Sequence, residues 1–369
     1  MDFLNAVYAA CVVFIGFYVL KVPMKYYVFV LLHLLLVFLT NDFLFPVSYM
    51  PDQLRYVEST VAIRDSLDFM NYEQYERSSK VAFSSLMFAL SPMLSIKSVY
   101  SISIINFLLY AFLFIFLYKK KLLVGNAMLF YLLFPSFALY AAVSLRDMLI
   151  LLFMILSIYA LYRKQMLLSI LIAAPLLYIK TQNFLIFIAA ILMYKSIEKR
   201  NLKSKKTLIR VSFLLILLVA FGSMFSIDDI NSIRRSMYAE DGGNREDYIP
   251  IAGYVDFLFT GFIGSFYMVL KPMIWEVRNP LQLVQSVENI VVFYMIYKIY
   301  EEQKIVKDRF ITFLLIYFFV GMFIYGLVVY NFGTAARYRF TFEVVFIVFS
   351  LSILHKHRKS AKAVERGKA

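Results

Sequence analysis

Residues 98–118 read SVYSISIINFLLYAFLFIFLY and run directly into Lys119-Lys120-Lys121. Such an uncharged run is long enough to cross the ~30 Å hydrocarbon core of a bilayer as a helix. The lysine triplet that ends it is the kind of cluster that accumulates on the cytoplasmic side. Working outward, further apolar runs fall at about 2–20, 26–45, 122–143, 146–162, 166–179, 184–196, 207–226, 281–299, 310–331 and 341–355. About eleven crossings of ~20 residues would occupy most of the chain. Two shorter apolar stretches, 81–94 with Pro92 and 253–271 with Gly253, Gly261 and Gly264, fit interfacial or re-entrant segments better than full spans.

Composition agrees. Hydrophobic residues make up 62% of the 369, aromatic residues 18% and charged residues only 17%, with a mean hydropathy of +0.74. A soluble domain carries about 25% charged residues, so an ordinary soluble enzyme is excluded, and so is a disordered chain. The expectation is an all-α, polytopic membrane helix bundle, one domain over 1–369, with about eleven transmembrane helices plus the two short segments.

The formal net charge is +14. In a soluble protein that would suggest nucleic acid; here it reads as loop bias, and no nucleic-acid partner is expected. Cys11 is the single cysteine, so there is no internal disulfide and no cysteine metal site. Residues 1–20 lack a basic n-region and a small-residue cleavage site, and read as a first span. Lys21 with Lys25, Lys119 to Lys121, Arg163 with Lys164, Lys195 to Lys206, Lys304 to Arg309 and the tail 356–369 all share one face if 81–94 and 253–271 do not cross. That topology puts the N-terminus outside and the C-terminus inside. The polar loops 46–80, 227–252 and 271–280 then face outward. No GxxxxGK[ST] or GxGxxG motif occurs, which disfavours an ATP-driven transporter.

The outward face should be poor in Lys and Arg, yet it carries Arg55, Arg64, Arg77, Arg146, Lys180, Arg234, Arg235, Arg245, Lys271, Arg278, Arg337 and Arg339. A charge near hydrocarbon is costly unless paired, and a guanidinium fork suits phosphate oxygens. Bland readings stand beside this one. Arg146 next to Asp147 could be a helix-end pair with a snorkelling stem. Arg337 and Arg339, flanking Tyr338 at a tight turn, could anchor an interface. Arg64 and Arg77 read best as part of a solvated amphipathic helix, and Arg234-Arg235 reads equally as a solvated pair. Lys180, in Lys180-Thr181-Gln182-Asn183, sits at a polar break between short helices.

His33 lies in an apolar run and reads as a packing residue, while His355 and His357 belong to the tail. An outward histidine base or histidine-ligated metal is therefore not expected, and neither a metal nor a cofactor is predicted. The acids at that face are Asp52, Asp147, Asp256, Glu276 and Glu288, besides the loop acids. Glu288, about two turns into an apolar helix, is either functional or an arginine's partner. Asp147 fits a helix cap.

Four patches carry a resemblance: Asp52-Gln53-Leu54-Arg55-Tyr56, Leu145-Arg146-Asp147, Arg337-Tyr338-Arg339, and Lys271-Pro272-Met273-Ile274-Trp275 leading into Ser286-Val287-Glu288-Asn289. Together with the architecture they resemble the bacterial polysaccharide repeat-unit polymerases of the Wzy type, in the style of the EpsG-like branch. Lys180 departs from the pattern, since related proteins often show a His-Arg or His-Lys pair there. The resemblance implies glycosyl transfer at the outer face of the inner membrane, in O-antigen, capsule or exopolysaccharide synthesis. The growing glycan on undecaprenyl diphosphate would be the donor, and a repeat unit on a second undecaprenyl diphosphate the acceptor. It further implies a metal-independent enzyme working beside a Wzz-type chain-length regulator and a Wzx-type flippase. On this reading Arg146, Arg337 and Arg339 hold the diphosphate, with Arg55 and Lys180 in support. Asp52 or Asp147 is the base, and Tyr56, Arg235, Lys271, Glu288 and Tyr338 are further candidates. An O-antigen ligase and a lipid-oligosaccharide flippase are the alternatives. The first would carry a functional outward histidine, and the second would line a path to both faces with cations.

Overall fold

The computed structural model describes residues 1–47, 50–198, 226–240 and 248–366. The apolar run expected at 207–226, save its last residue, and Arg245 lie outside the described residues. Among the described residues there is no β-strand, only an isolated bridge between Asn41 and Phe45. The chain is all-helical and falls into two compact units, residues 1–184 with 351–369, and residues 185–350.

The first unit is built from α1 (Asp2–Val19), α2 (Met24–Thr40), α3 (Asp52–Ser66), α4 (Ser79–Ala89), α5 (Val99–Lys119), α6 (Asn126–Leu133), α7 (Pro135–Ala142), α8 (Asp147–Tyr162), α9 (Met166–Ala173) and α10 (Leu176–Ile179). It also takes the start of α11 (Thr181–Glu198). Helix α5 matches the run that decided the fold. A reciprocal Ser98–Ser101 capping box starts it: the Ser101 N–H donates to Ser98 Oγ (3.2 Å) and the Ser98 N–H to Ser101 Oγ (2.9 Å). It ends before Lys121, whose φ of 56° breaks the helix.

Helix α5 is central and α1 peripheral, with 72% of α5's apolar window buried against 28% of α1's. Phe17 of α1 stacks on Phe114 of α5 at 5.7 Å. His33 of α2 lies flat on Tyr110 at 4.3 Å, and its Nδ1 sits 3.0 Å from the Phe29 carbonyl, so it is the packing residue expected. The outer face of α1 exposes Phe3, Phe14, Ile15 and Tyr18, a continuous apolar surface of the kind lipid covers.

The second unit contains most of α11, then α12 (Ile227–Glu240), α13 (Tyr254–Leu270), α14 (Pro280–Val306), α15 (Arg309–Gly326) and most of α16 (Phe332–Arg366). Helices α13 and α15 touch backbone to backbone. A Cβ added at Gly264 would lie 2.2 Å from the Gly326 carbonyl oxygen, and one at Gly261 would lie 2.4 Å from the Phe323 ring. Between apolar helices water exclusion gives little drive, and close approach through small residues supplies the dispersion contact instead. The sequence of segment 253–271 predicts an interfacial or re-entrant segment. It is one unbroken 17-residue helix whose glycine face is buried on α15.

Among the described residues, four helices are long and apolar enough to cross a membrane: Asp2–Val19, Val99–Lys119, Arg309–Gly326 and Phe332–Ala361. A fifth is added if the pair α7 and α8, bent by 120°, counts as one. Met24–Thr40, Met166–Ile179, Thr181–Lys195 and Tyr254–Leu270 are apolar but shorter. The run 122–143 is not one rod, because Pro135 starts a new helix and Phe134 before it is extended. The last helix begins at Phe332, not near 341. Arg337, Tyr338 and Arg339 therefore lie within its first turns and not at a tight turn.

Candidate functional site

The break between α7 and α8 is the feature that positions a functional side chain in the first unit. Residues Val143 to Arg146 leave the helical ladder, and Ser144, Leu145 and Val143 are buried. In an apolar medium every freed carbonyl and N–H needs a partner from protein. Three buried amides provide them. Asn41 Nδ2 donates to the Ala142 carbonyl (2.9 Å). Asn106 Nδ2 donates to the carbonyls of Val143 and Leu145 (2.7 Å each). Gln53 Oε1 accepts from the Ser144 N–H (2.8 Å) and from Ser144 Oγ (3.0 Å). This explains polar Asn41, Asn106 and Gln53 at the end of α2, in mid-α5 and in α3, and their place in or beside apolar runs is the signal that the sequence carries for them.

Arg146 is carried at the end of that clamp as the N-cap residue of α8, which has no side-chain cap. Its Nη1 is buried and has no hydrogen-bond partner. Asp147, expected as the cap, is instead the first helical residue of α8 and is 2% exposed. Lys80, in the first turn of α4, lies within electrostatic reach of Arg146. Burial, and then repulsion from Arg146, hold the Lys80 ammonium below its ordinary value. Lys180 is buried between α10 and α11, and Tyr178 two residues earlier meets Phe83 of α4 at 5.1 Å. Arg146 itself stands at the start of α8, a setting that favours an anion.

The rest of the Asp52–Tyr56 patch divides by role. Arg55 Nη2 pairs with Glu76 Oε1 at 2.7 Å and reaches Asp52 less closely, at 3.9 Å. Burial pushes the Glu76 carboxyl up, but the bonds from Arg55 and the Ser78 N–H outweigh it and leave the carboxyl below its ordinary range. Tyr56 is 1% exposed, its ring set edge-on to Phe88, so it packs α3 on α4 and presents no surface to a ligand. Arg64, read as solvated, donates to the carbonyls of Ser91 and Met93 and ties α3 to the segment after α4.

Compared with family models, curated proteins and solved structures, the chain matches none.

In the second unit Arg339 departs from expectation. It is fully buried, and its Nη1 donates to the carbonyls of Met268 (2.7 Å) and Lys271 (2.9 Å), while Nη2 donates to Asn289 Oδ1. Asn289 Nδ2 donates in turn to the Leu270 carbonyl at 3.0 Å. The two side chains close the C-terminal end of α13, where a helix leaves its last carbonyls unpaired and a cation is favoured. Arg339 thus serves as a buried anchor of that helix end. Glu343, one turn on, lies 3.5 Å from Arg339 Nε, and buried Glu288 lies within electrostatic reach of Glu343. Lys271 pairs with Glu276 at 2.9 Å and sits over the Tyr267 ring. Tyr338 packs on Tyr325 at 4.8 Å, and Arg337 is half-buried. Arg234 donates from Nε to the Tyr330 hydroxyl (2.8 Å), while exposed Arg235 lies over Tyr248. Among the described residues no group of His, Cys, Asp or Glu could hold a metal ion.

Proposed function

We propose that this chain is a membrane glycosyltransferase that joins lipid-diphosphate-linked oligosaccharide repeat units. On this reading it lies in the bacterial inner membrane with about eleven crossings, its N-terminus outside and its C-terminus in the cytoplasm. The observation that carries the reading is Arg146. It carries a guanidinium with an orphaned Nη1 on a helix start whose preceding backbone is held by three buried amides. A fixed cation of this kind stabilises charge building on a leaving phosphate without reorganising.

The reaction is a displacement at an anomeric carbon. The acceptor sugar's hydroxyl oxygen forms the new bond, the carbon–oxygen bond to the lipid diphosphate breaks, and the electron pair leaves with the diphosphate. The hydroxyl proton passes to a carboxylate. Asp52, half-exposed at the start of α3, is better placed for this than buried Asp147. Lys180 supports the phosphate end. Arg55 holds the neighbouring segment through Glu76, and Arg337 remains a candidate cation of the second unit.

The test is polymer length in a strain lacking the chromosomal copy. Arg146→Ala, at normal protein level, should leave single repeat units, where the wild-type copy restores a ladder. A normal ladder from Arg146→Ala refutes the assignment. Accumulated lipid-linked polymer would point to a ligase, and units trapped inside would point to a flippase.

A further inference from the structure

We propose that one end of the first unit is a binding surface for anionic phospholipid, with Lys120 and Lys356 as the cations that hold the headgroup phosphate. The inference is independent of the reading of Arg146, which stands at the start of α8, and concerns the other end of that helix. The cations come from stretches far apart in sequence, so only folding brings them together.

The ends of α1, α5 and α8 meet α16 there. Lys119, closing α5, donates from Nζ to the Leu20 carbonyl at the end of α1 (2.8 Å). Ser352 of α16 donates to the Lys121 carbonyl (3.3 Å), which seats the last helix on the turn after α5. Lys120 Nζ stands 5.6 Å from the centre of the Tyr159 ring of α8. Lys356 Nζ of α16 stands 5.5 Å from the centre of the Tyr162 ring and 3.5 Å from its hydroxyl. Tyr159 and Tyr162, at i and i+3, share one face of the last turn of α8, so both ammoniums gather on that face. Lys120 is exposed and Lys356 half-buried, and exposed Arg163 and Lys164 follow directly after α8. Stretches 20–26, 118–126, 162–166 and 351–360 contain no Asp or Glu. Among the described residues, Lys119, Lys120, Arg163, Lys164 and Lys356 make no ion pair.

Orienting a chain in a bilayer requires only that the loops on one side be basic, and a helix C-terminus is served by a cation of its own last turn. Neither requires cations of α5 and α16 to converge on two tyrosines of α8. The aromatic residues fix the level of this surface. Tyr26 and Tyr118 meet at 5.7 Å, and Phe116 meets Tyr159 at 5.1 Å. Tyrosines collected at one end of a bundle sit at the depth of lipid headgroups. The exposed apolar face of α1 runs up to this same end through Tyr18, Val19 and Leu20. Hydrocarbon-facing surface and unpaired cations therefore adjoin, which favours a phosphate carried on a lipid over a soluble one.

The experiment is native mass spectrometry of the full chain, equilibrated in detergent with equimolar phosphatidylglycerol and phosphatidylcholine. The wild type should retain phosphatidylglycerol well ahead of phosphatidylcholine. A lysine at an anionic lipid surface is worth about fivefold in binding, so Lys120→Gln combined with Lys356→Gln should lower that preference about tenfold or more. Lys120→Arg combined with Lys356→Arg should keep it. Lys97→Gln, at an exposed cation before the opposite end of α5, should leave it unchanged. Should the double glutamine variant fail to fold, Lys120→Gln alone carries the test, with a loss of about fivefold. Undiminished preference in the glutamine variants overturns the site, as does an equal loss in Lys97→Gln. Inorganic phosphate at the lipid's concentration should not displace phosphatidylglycerol, and full displacement would make this a soluble-anion site and overturn the lipid assignment. Equal retention of both lipids by the wild type overturns the proposal outright.

Discussion

Replacing Asn106 by Leu tests the physical claim beneath the site. Asn106 is fully buried, and its amide donates to two carbonyls of the α7–α8 break at 2.7 Å each. Leucine has similar volume, so packing is nearly kept and only the donors are lost. Each stranded buried carbonyl costs roughly 1–3 kcal/mol. The Asn106 Oδ1 has no partner in the folded protein, so its removal recovers part of one such cost. The net loss should be about 2–4 kcal/mol, a large fraction of ordinary stability. The assay is thermal and denaturant unfolding of the purified chain in detergent, with pyrophosphate binding as a second readout. Asn106→Leu should melt clearly below the wild type and bind pyrophosphate more weakly, because Arg146 is no longer fixed. Ser103→Ala is the internal comparison. Its hydroxyl meets Asn41 Nδ2 only at 3.4 Å, and its loss should stay within ~0.5 kcal/mol. If Asn106→Leu unfolds and binds like the wild type, the break does not depend on side-chain donors and the argument for a preset Arg146 fails.

Three further outcomes follow from the same contacts. Arg339→Met should destabilise the chain by about 3–5 kcal/mol by leaving Glu343 buried beside no cation; adding Glu343→Gln should recover part of the loss in the same melt, and no recovery would remove the ion pair from the account. Gly264→Leu should abolish folded protein in fluorescence size-exclusion profiles, because its Cβ already meets the Gly326 backbone, whereas Gly253→Ala, which meets open space, should be nearly silent. The Glu76 carboxyl is held below its ordinary 4.5, so its contribution is complete above that value and fades as pH falls through the lowered one. Limited proteolysis of segment 67–78 should accordingly quicken below about pH 4.5, modestly because Arg55 is half-exposed. Glu76→Gln should flatten that pH dependence, and a profile unchanged by the substitution would dismiss the pair as its cause.

The sequence by itself determined the helical class and where several apolar rods lie. Residues 98–118 and 310–331 coincide with α5 and α15 to within a few positions, because an uncharged run of that length in an apolar medium has only the helix to satisfy its backbone. It also marked Arg146 as a cation in an awkward place. Tertiary structure decided what each cation does. Arg337 and Arg339 look alike in sequence, yet α16 begins early enough to turn Arg339 inward onto the open carbonyls of α13, where its charge serves the helix end. Glu76 became the partner of Arg55, and Gln53 the partner of Ser144, only because α3 meets the segments before α4 and before α8 across long sequence separations. Local pattern reports a charge and the element that carries it. Which unpaired group that charge reaches depends on how distant helices pack, and only the folded chain fixes that.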